Sequence, residues 1–341
     1  MTLKEKKVLF YSSVRNLESF QNQQFYQIDI ELIKNLGCQL KLTNQIFDFL
    51  YFWKYDIAFI YFYRKGLIPA ILSRFFLKKV YFTGGIDDLN RNTTLPKHYK
   101  IQKLFFKLCN YFSTKSILVS ISDKANVEEI YNKKLPSNIG LSFHSINSKV
   151  FNVPDISKKE TFFTTIVWME SIGNVKRKGV DKALYVFKSL TEKNIYCNAK
   201  FYIIGKTGEG TEFLKEICRD LNLSEKVIFT GSIDERLKID LLKKSKYYFQ
   251  LSTFEGFGLA ALEALAAKNI IIHSAKGGLK ETMKNYGVII DINLPIVDQI
   301  ETIYKQLLNF NEDILSEAYR DVSDNYSNES RQKYFEKVFT N

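Results

Sequence analysis

Cysteine, proline and histidine are scarce in this chain of 341 residues, which holds four Cys, five Pro and three His. Cys38, Cys109, Cys197 and Cys218 lie far apart, form no CxxC pair and have no histidine at zinc-ligand spacing. A disulfide framework and a zinc site are thereby excluded, and four reduced, mostly buried thiols are expected. Five Pro and sixteen Gly also exclude collagen-like or low-complexity material. Long apolar runs are missing: stretches such as Ile57–Tyr63 fall far short of the roughly 20 residues a spanning helix needs. The N-terminus, MTLKEKKVLFYSS, goes straight into a strand-like run with no apolar h-region or small-residue cleavage site, so a cytoplasmic location is expected. What remains is an ordinary globular composition, 45% hydrophobic and 25% charged, on a length that suits two domains of about 100–200 residues each.

The basic charge is unevenly divided. Residues 1–155 carry 22 Lys and Arg against 12 Asp and Glu, and the remainder 27 against 25, so +10 of the chain's net +12 belongs to the N-terminal half. Such a field attracts polyanions, whether nucleic acid, anionic lipid or phosphorylated substrate.

Short Val-, Ile-, Phe- and Tyr-rich runs alternate with longer amphipathic stretches, the pattern of repeated βαβ units and parallel sheets. In the first half this predicts strands near 7–13, 39–43, 57–62, 80–83, 117–120 and 139–143, with helices near 22–36, 67–77, 99–111 and 123–131. The aperiodic FNVPDISKK at 151–159 reads as a linker. A second series follows, with strands near 162–168, 200–204, 227–230, 247–251, 270–273 and 288–290 and helices near 180–193, 212–221, 235–244, 259–267, 276–285 and 295–307. The expected fold is α/β, with two tandem Rossmann-like doubly wound domains, 1–154 and 155–324. A last amphipathic helix within 325–341 is free to pack back on the first.

Open α/β sheets bind ligands at the carboxyl ends of their strands, so the Gly-rich turns there matter most. After the strand FYII comes Gly205-Lys-Thr-Gly-Glu-Gly210, spaced GxxGxG rather than as the dinucleotide fingerprint, and Lys200 stands where a Walker loop needs Gly. A plain strand-to-helix turn and a loop near a nucleotide both fit it. A stronger signal is Ser252-Thr-Phe-Glu-Gly-Phe-Gly-Leu-Ala-Ala-Leu-Glu-Ala-Leu265, a strand end, a Gly-punctuated turn and a run of helix formers, with Glu255 and Glu263 eight apart. Gly256 and Gly258 let backbone approach a ligand, and the N–H groups opening a helix at Leu259 suit a diphosphate. Two carboxylates beside an anion site repel phosphate, so their expected targets are hydroxyls. Together these features describe a sugar nucleotide.

On these residues the chain resembles the retaining glycosyltransferases of family 4, which have the GT-B fold. Their E-x7-E element matches Glu255 to Glu263, followed by a strand and the Gly-Gly turn Ser274-Ala-Lys-Gly-Gly278. Arg177-Lys-Gly-Val-Asp181, the Gly205 turn and Val227-Ile-Phe-Thr-Gly231 match as well, and Val119-Ser-Ile-Ser122 more loosely. The likeness covers the second domain and, weakly, the first. It implies an active site in an interdomain cleft, with Glu263 on ribose hydroxyls and Glu255 on the transferred sugar. It further implies that the backbone of Gly256, Phe257, Gly258 and Leu259 meets sugar and phosphates, that the Gly205 and Gly231 turns border the nucleotide, and that Arg177 and Lys178 clamp the diphosphate. Charge-assisted donors are what a departing diphosphate needs, because its charge grows in the transition state. Trp168–Gly173 lacks the Gly-Arg pair that many relatives have before the Lys, and Arg177 stands in a position to take that duty.

In the first domain Thr83-Gly84-Gly85-Ile-Asp87-Asp88 follows a strand; an acceptor or catalytic contact of Asp87 or Asp88 and plain turn-and-cap chemistry both fit. No Asp-x-Asp motif precedes a sheet edge, which disfavours metal-dependent GT-A transferases. His98, His144 and His273 stand alone and read as structural. Lys97–Lys115 places Lys100, Lys103 and Lys107 on one side and aromatic and Leu residues on the other, as in helices that lie on anionic membranes or pack on a sheet.

The expected activity, as the resemblance implies it, is transfer of a sugar from a nucleotide donor, a UDP-sugar foremost, to a hydroxyl of a glycan or lipid-linked oligosaccharide, with retention, without a metal or other cofactor. Bacterial surface polysaccharide synthesis is the natural setting. A sugar-nucleotide epimerase shares the architecture and is the alternative. A nucleic-acid binder would leave Glu255 and Glu263 unexplained, and no nucleic-acid partner is expected.

Overall fold

Buried strands and amphipathic helices build two α/β units in the computed structural model, which describes residues 5–340. One unit comprises the chain up to Ile146 together with Tyr326 onward; the other is Asn147–Asn325. The first contains β1 (Lys7–Ser12), α1 (Ser19–Asn22), α2 (Gln24–Asn35), β2 (Gln39–Thr43), β3 (Ile57–Tyr61), α3 (Tyr63–Phe75), β4 (Lys79–Thr83), α4 (Pro96–Phe112), β5 (Lys115–Leu118), α5 (Ile121–Ile130) and β6 (Ile139–Leu141). Its strands pair in parallel in the order β2-β1-β3-β4-β5-β6. Side chains alternate between two cores: Val8, Phe10, Ile57, Phe59 and Tyr61 enter one, and Leu9, Tyr11, Ala58 and Ile60 the other. Both faces are covered, so the central strands β1, β3 and β4 read as nearly continuous apolar runs, while the edge strand β2 alternates.

The second unit contains α6 (Ser148–Phe151), β7 (Glu160–Ile166), α7 (Ile172–Lys178), α8 (Val180–Thr191), β8 (Phe201–Ile204), α9 (Glu209–Asp220), β9 (Val227–Gly231), α10 (Glu235–Lys244), β10 (Ser245–Gln250), α11 (Leu259–Ala266), β11 (Ile270–His273), α12 (Leu279–Met283), β12 (Gly287–Ile289), α13 (Ile296–Leu308) and α14 (Ile314–Asn325). Its parallel sheet runs β12-β11-β10-β7-β8-β9. Strand addition reverses between β1 and β3 in the first sheet and between β7 and β10 in the second, and ligand crevices form outside the carboxyl ends of strands at such points.

The last helix, α15 (Asn328–Thr340), returns to the first unit. Phe335 and Phe339 pack on Phe59 and Tyr81, with ring centroids 5.5 and 4.7 Å apart for Phe335–Phe59 and Phe339–Tyr81. Arg331 is fully buried: Nε and Nη2 donate to the Asp29 carboxylate at 2.6 and 2.7 Å, and Nη1 donates to the Ser142 and Phe143 carbonyls at 2.7 and 2.9 Å. Tyr61 donates its hydroxyl to the same carboxylate. Burial pulls the Arg331 pKa down, yet Asp29 outweighs it and the net shift is upward.

The two-unit α/β fold class agrees with the expectation, and several segments depart from it. Residues 147–154, assigned from sequence to the first domain, group with the second unit, and the expected linker begins inside α6, whose Phe151 is buried. The charge run before Gly179 is helical, as α7, because Ser171 caps it by accepting a hydrogen bond from the Asn174 N–H at 3.2 Å. The helix expected over 276–285 shrinks to Leu279–Met283, between positive-φ residues at Gly277 (+62°) and Lys284 (+46°). α14 was not anticipated. Cys38, Cys109 and Cys218 are buried and Cys197 is exposed. α4 corrects the amphipathic reading: Phe106, Cys109 and Asn110 are buried, while Leu104, Leu108 and Tyr111 share the exposed side with Lys100 and Lys107, because the helix needs only a narrow strip to pack on its unit.

Candidate active site

At the reversal point of the second sheet, β7 runs out into 167–178 and β10 into 251–258. Gly179 fixes where α7 ends: its φ is +66°, and a Cβ there would lie 2.0 Å from the Leu251 carbonyl oxygen. Only glycine turns the chain so tightly against the other loop. The Thr253 N–H donates to the Arg177 carbonyl at 2.8 Å and locks the two segments together. Lys178, the last residue of α7, therefore reaches Glu255, with Nζ 2.6 Å from Oε2. Gln250 Nε2 and Ser252 Oγ donate to the same oxygen at 3.1 and 3.0 Å. Burial pushes the Glu255 carboxyl up, but Lys178 first, then Arg177 and Ser252, outweigh it, and the pKa falls below the usual range. Arg177 is exposed and donates from Nη2 to Asn174 Oδ1 at 2.9 Å.

The loop from Glu255 to Gly258 is braced from behind. A Cβ on Gly277 would meet the Glu255 carbonyl oxygen at 2.2 Å and one on Gly278 the Gly256 carbonyl oxygen at 2.5 Å, so the Gly-Gly turn is a close-packed buttress. The Gly278 N–H donates to the Glu255 carbonyl at 2.6 Å, and Thr282 Oγ1 donates to the Phe257 carbonyl at 3.3 Å. Phe257 is buried. Gly258 takes the left-handed conformation, φ +89°, that starts α11, leaving the first-turn N–H groups at Leu259 as donors for an anion.

Glu263 lies one turn further into α11 and is 1% exposed. Both its oxygens accept from Lys238 Nζ, at 2.9 and 3.0 Å, and Lys238 also meets Glu235 at 2.9 Å. Burial lowers the Lys238 pKa, but Glu263 and Glu235 raise it more, and the net shift is upward. The two acids of the element thus have different partners: Lys178, Gln250 and Ser252 meet Glu255 on Oε2, whereas Lys238 bridges both oxygens of Glu263. The turns after β8 and β9 also differ. A Cβ on Gly205 would lie 2.0 Å from the Val167 carbonyl oxygen, so this glycine serves packing. At Gly231, φ +69°, a Cβ would meet nothing within 4 Å, so the turn borders open space.

In the first unit Gly84 takes φ +106° beneath the Phe62 ring and Gly85 follows it. Asp87 and Asp88 open a short 3-10 turn, both exposed, and Asp88 Oδ2 accepts from Gln102 Nε2 at 3.0 Å. His144 and His273 are buried and His98 is exposed. Among the described residues no cluster of three His, Cys, Asp or Glu could hold a metal ion.

Residues 155–321 match the family model of the glycosyl transferases group 1. The group 1 segment is thus the second unit almost entire. An uncharacterized glycosyltransferase of Methanocaldococcus jannaschii is 27% identical over 231 residues, 64% of this chain and 58% of the relative. The alpha-1,3/1,6-mannosyltransferase ALG2 of Saccharomyces cerevisiae is 27% identical over 225 residues, 55% of this chain and 44% of the relative. The chain therefore spans about half the length of these two curated relatives. Among solved structures, Anabaena HepE in complex with UDP and glucose superposes with a TM-score of 0.76 at 14% identity, covering 98% of this chain and 100% of that one. Sucrose-phosphate synthase from Thermosynechococcus elongatus also gives 0.76 at 14% identity, covering 98% of each chain. The fold is GT-B.

Within the group 1 segment, sequence reasoning missed Lys238, Gln250, Ser252 and Thr282. Gln250 ends β10 and Ser252 opens the quoted segment two residues on, where the alternation that puts Tyr247 and Phe249 in the core turns the even positions to the other face. Lys238 had no such signal. It is one of three lysines on α10, and only the packing of α10 beside α11 makes it the partner of Glu263.

Proposed function

We propose that this chain is a glycosyltransferase that moves a sugar, with retention, from a UDP-sugar to a hydroxyl of a glycan or lipid-linked oligosaccharide in surface polysaccharide synthesis. The observation that carries the reading is the braced loop itself: a left-handed Gly258 opening α11, with Glu255 held by Lys178 at the reversal point of the second sheet. The group 1 match and the UDP-bound neighbour of like fold support it.

In this proposal the α11 N-terminus receives the diphosphate, and Glu255 Oε1 accepts from a sugar hydroxyl while Oε2 stays with Lys178. The anomeric carbon–oxygen bond to the diphosphate breaks as the acceptor oxygen bonds to that carbon from the same side, and the acceptor proton passes to the departing phosphate oxygen. Arg177, exposed and beside the Lys178–Glu255 pair, contributes positive charge where the leaving group gains negative charge. Lys178 is already paired, so its charge is largely spent on holding Glu255, and Arg177 supplies the free cation. Glu263 meets the ribose hydroxyls with Lys238 behind it, Gly231 gives room for the nucleotide, and the Gly84–Asp88 turn serves the acceptor.

Thermal shift against UDP-, GDP-, ADP- and CMP-sugars tests the donor, since a ligand at about 100 times its Kd adds about 2.7 kcal/mol of stability. UDP-sugars are expected to stabilise most, and turnover is expected only with an acceptor added. Donor conversion without acceptor identifies an epimerase instead. Glu255→Gln and Arg177→Ala are expected to lower turnover with the fold intact; wild-type rates in both variants sink the assignment.

A further inference from the structure

The first unit exposes large apolar side chains in a way that its core does not explain. On α3 they are Ile68, Ile71 and Phe75, with Leu77 just beyond, and on α4 they are Leu104, Leu108 and Tyr111. These positions recur at helical spacing, so each helix turns an apolar stripe outward as well as one inward. The segment before β3 adds Phe47, Tyr51, Phe52 and Trp53.

These elements adjoin. α3 packs along α4 and against the 3-10 turn at Ile46–Leu50, and the Phe52 ring stacks on Phe76 at 4.3 Å. Phe76 meets Phe75 at 5.2 Å, and Trp53 meets both Tyr51 and Phe52, at 5.6 and 5.2 Å. Leu77 is 90% exposed, Tyr111 79%, Phe75 78% and Trp53 62%, values a side chain reaches only when its own fold offers it no cover.

Charge decides what covers this face. Arg64, Lys65 and Arg74 project from α3, Lys97, Lys100 and Lys107 from α4, and Lys54 lies over the Tyr51 ring at 4.7 Å. No Asp or Glu occurs anywhere in 57–86 or in 89–122. A second copy of the chain would set this basic face against its own like charges, with no acid in either helix to pair them. Interleaved aromatic, aliphatic and basic side chains match an interface where headgroups are anionic and acyl chains begin.

We infer that α3, α4 and the Phe47–Lys54 segment form one face that docks on an anionic lipid surface, with Trp53, Phe75, Leu77, Leu104 and Tyr111 entering the acyl boundary and the lysines and arginines meeting headgroups. No helix among the described residues is long and apolar enough to cross a membrane, and the face lies on the surface instead of spanning it. This stands on the first unit alone and does not depend on the sugar-transfer reading.

Sedimentation of the full chain with vesicles tests it, comparing phosphatidylglycerol–phosphatidylcholine mixtures with pure phosphatidylcholine. Binding is expected to the anionic vesicles and to weaken as salt rises. Lys100→Glu with Lys107→Glu is expected to lower partition by roughly fivefold or more per residue, and Trp53→Ser with Phe75→Ser roughly tenfold or more. All four residues are exposed, so the variants keep their fold, checked by unchanged circular dichroism. In a Trp168→Phe background, where Trp53 is the one tryptophan left, its emission is expected to shift to the blue on binding. Equal binding to neutral and anionic vesicles, or variants that bind as wild type does, overturns the inference. So does self-association through this face, seen as dimers in sedimentation velocity that the Trp53→Ser, Phe75→Ser variant abolishes while wild type ignores vesicles.

Discussion

Lys238→Met removes the ammonium that bridges both oxygens of Glu263, and the structure sets the size of the effect. The ammonium lies 2.9 and 3.0 Å from the two carboxylate oxygens, and the side chains are 12% and 2% exposed. At about 3 Å and an effective dielectric of about 20, the pair attracts by about 6 kcal/mol, most of it offset by the cost of taking both groups out of water. Removing one partner keeps the second desolvation cost and loses the attraction, so the expected loss is about 3–5 kcal/mol. For a domain of ordinary stability, about 5–15 kcal/mol, that is a large fraction. Urea unfolding measures it, with Trp53→Phe as background so that Trp168 alone reports the second unit; the midpoint is expected to fall by roughly 1–2 M. The double variant Lys238→Met, Glu263→Leu removes both charges and is expected to recover most of the loss. A single variant within about 1 kcal/mol of its background, or a double variant no more stable than the single, refutes the claim that Lys238 and Glu263 are one buried unit.

Gly258→Ala places a side chain at φ +89° with its Cβ 2.8 Å from Leu279 Cδ2, so a loss of roughly 1–3 kcal/mol and weaker nucleotide-sugar binding are expected by calorimetric titration. Arg331→Met strands the buried Asp29 carboxylate and is expected to cost about 3–5 kcal/mol, with α15 amides losing protection in hydrogen exchange; protection equal to wild type argues against the pair as the anchor of that helix. His273 is buried and its pKa is pushed down to about 4. Below pH 6.5 the unfolded chain takes up a proton that the folded site refuses, so stability falls between pH 6.5 and about 4, by about 3 kcal/mol from this group. His273→Leu is expected to flatten that part of the stability–pH profile, and an unchanged slope contradicts the assignment.

How much was legible depended on whether the signal was local. Strands such as Gln39–Thr43 and Ile270–His273 and the helix Glu235–Lys244 lie at their expected bounds because apolar periodicity and caps are written in a few adjacent residues. The Glu255–Glu263 element was legible for the same reason, since a Gly turn before a helix sits within one short segment. α7 was not, because its cap, Ser171, stands before a stretch with three charges and almost no apolar periodicity. α4 was half legible: its spacing announced an amphipathic helix, but which leucines pack and which face outward depends on neighbouring elements.

The sequence by itself determined the alternation of strands and helices, the glycine turns at strand ends and the basic excess of the N-terminal half, since each follows from backbone sterics, side-chain periodicity or a count of charges. Tertiary structure alone decided which charges are buried together. That Lys238 meets Glu263, Lys178 meets Glu255, and Arg331 meets an aspartate 302 residues away is written nowhere along the chain. Ion pairing is set by distance and desolvation in three dimensions, and neither has a period that a linear sequence can show.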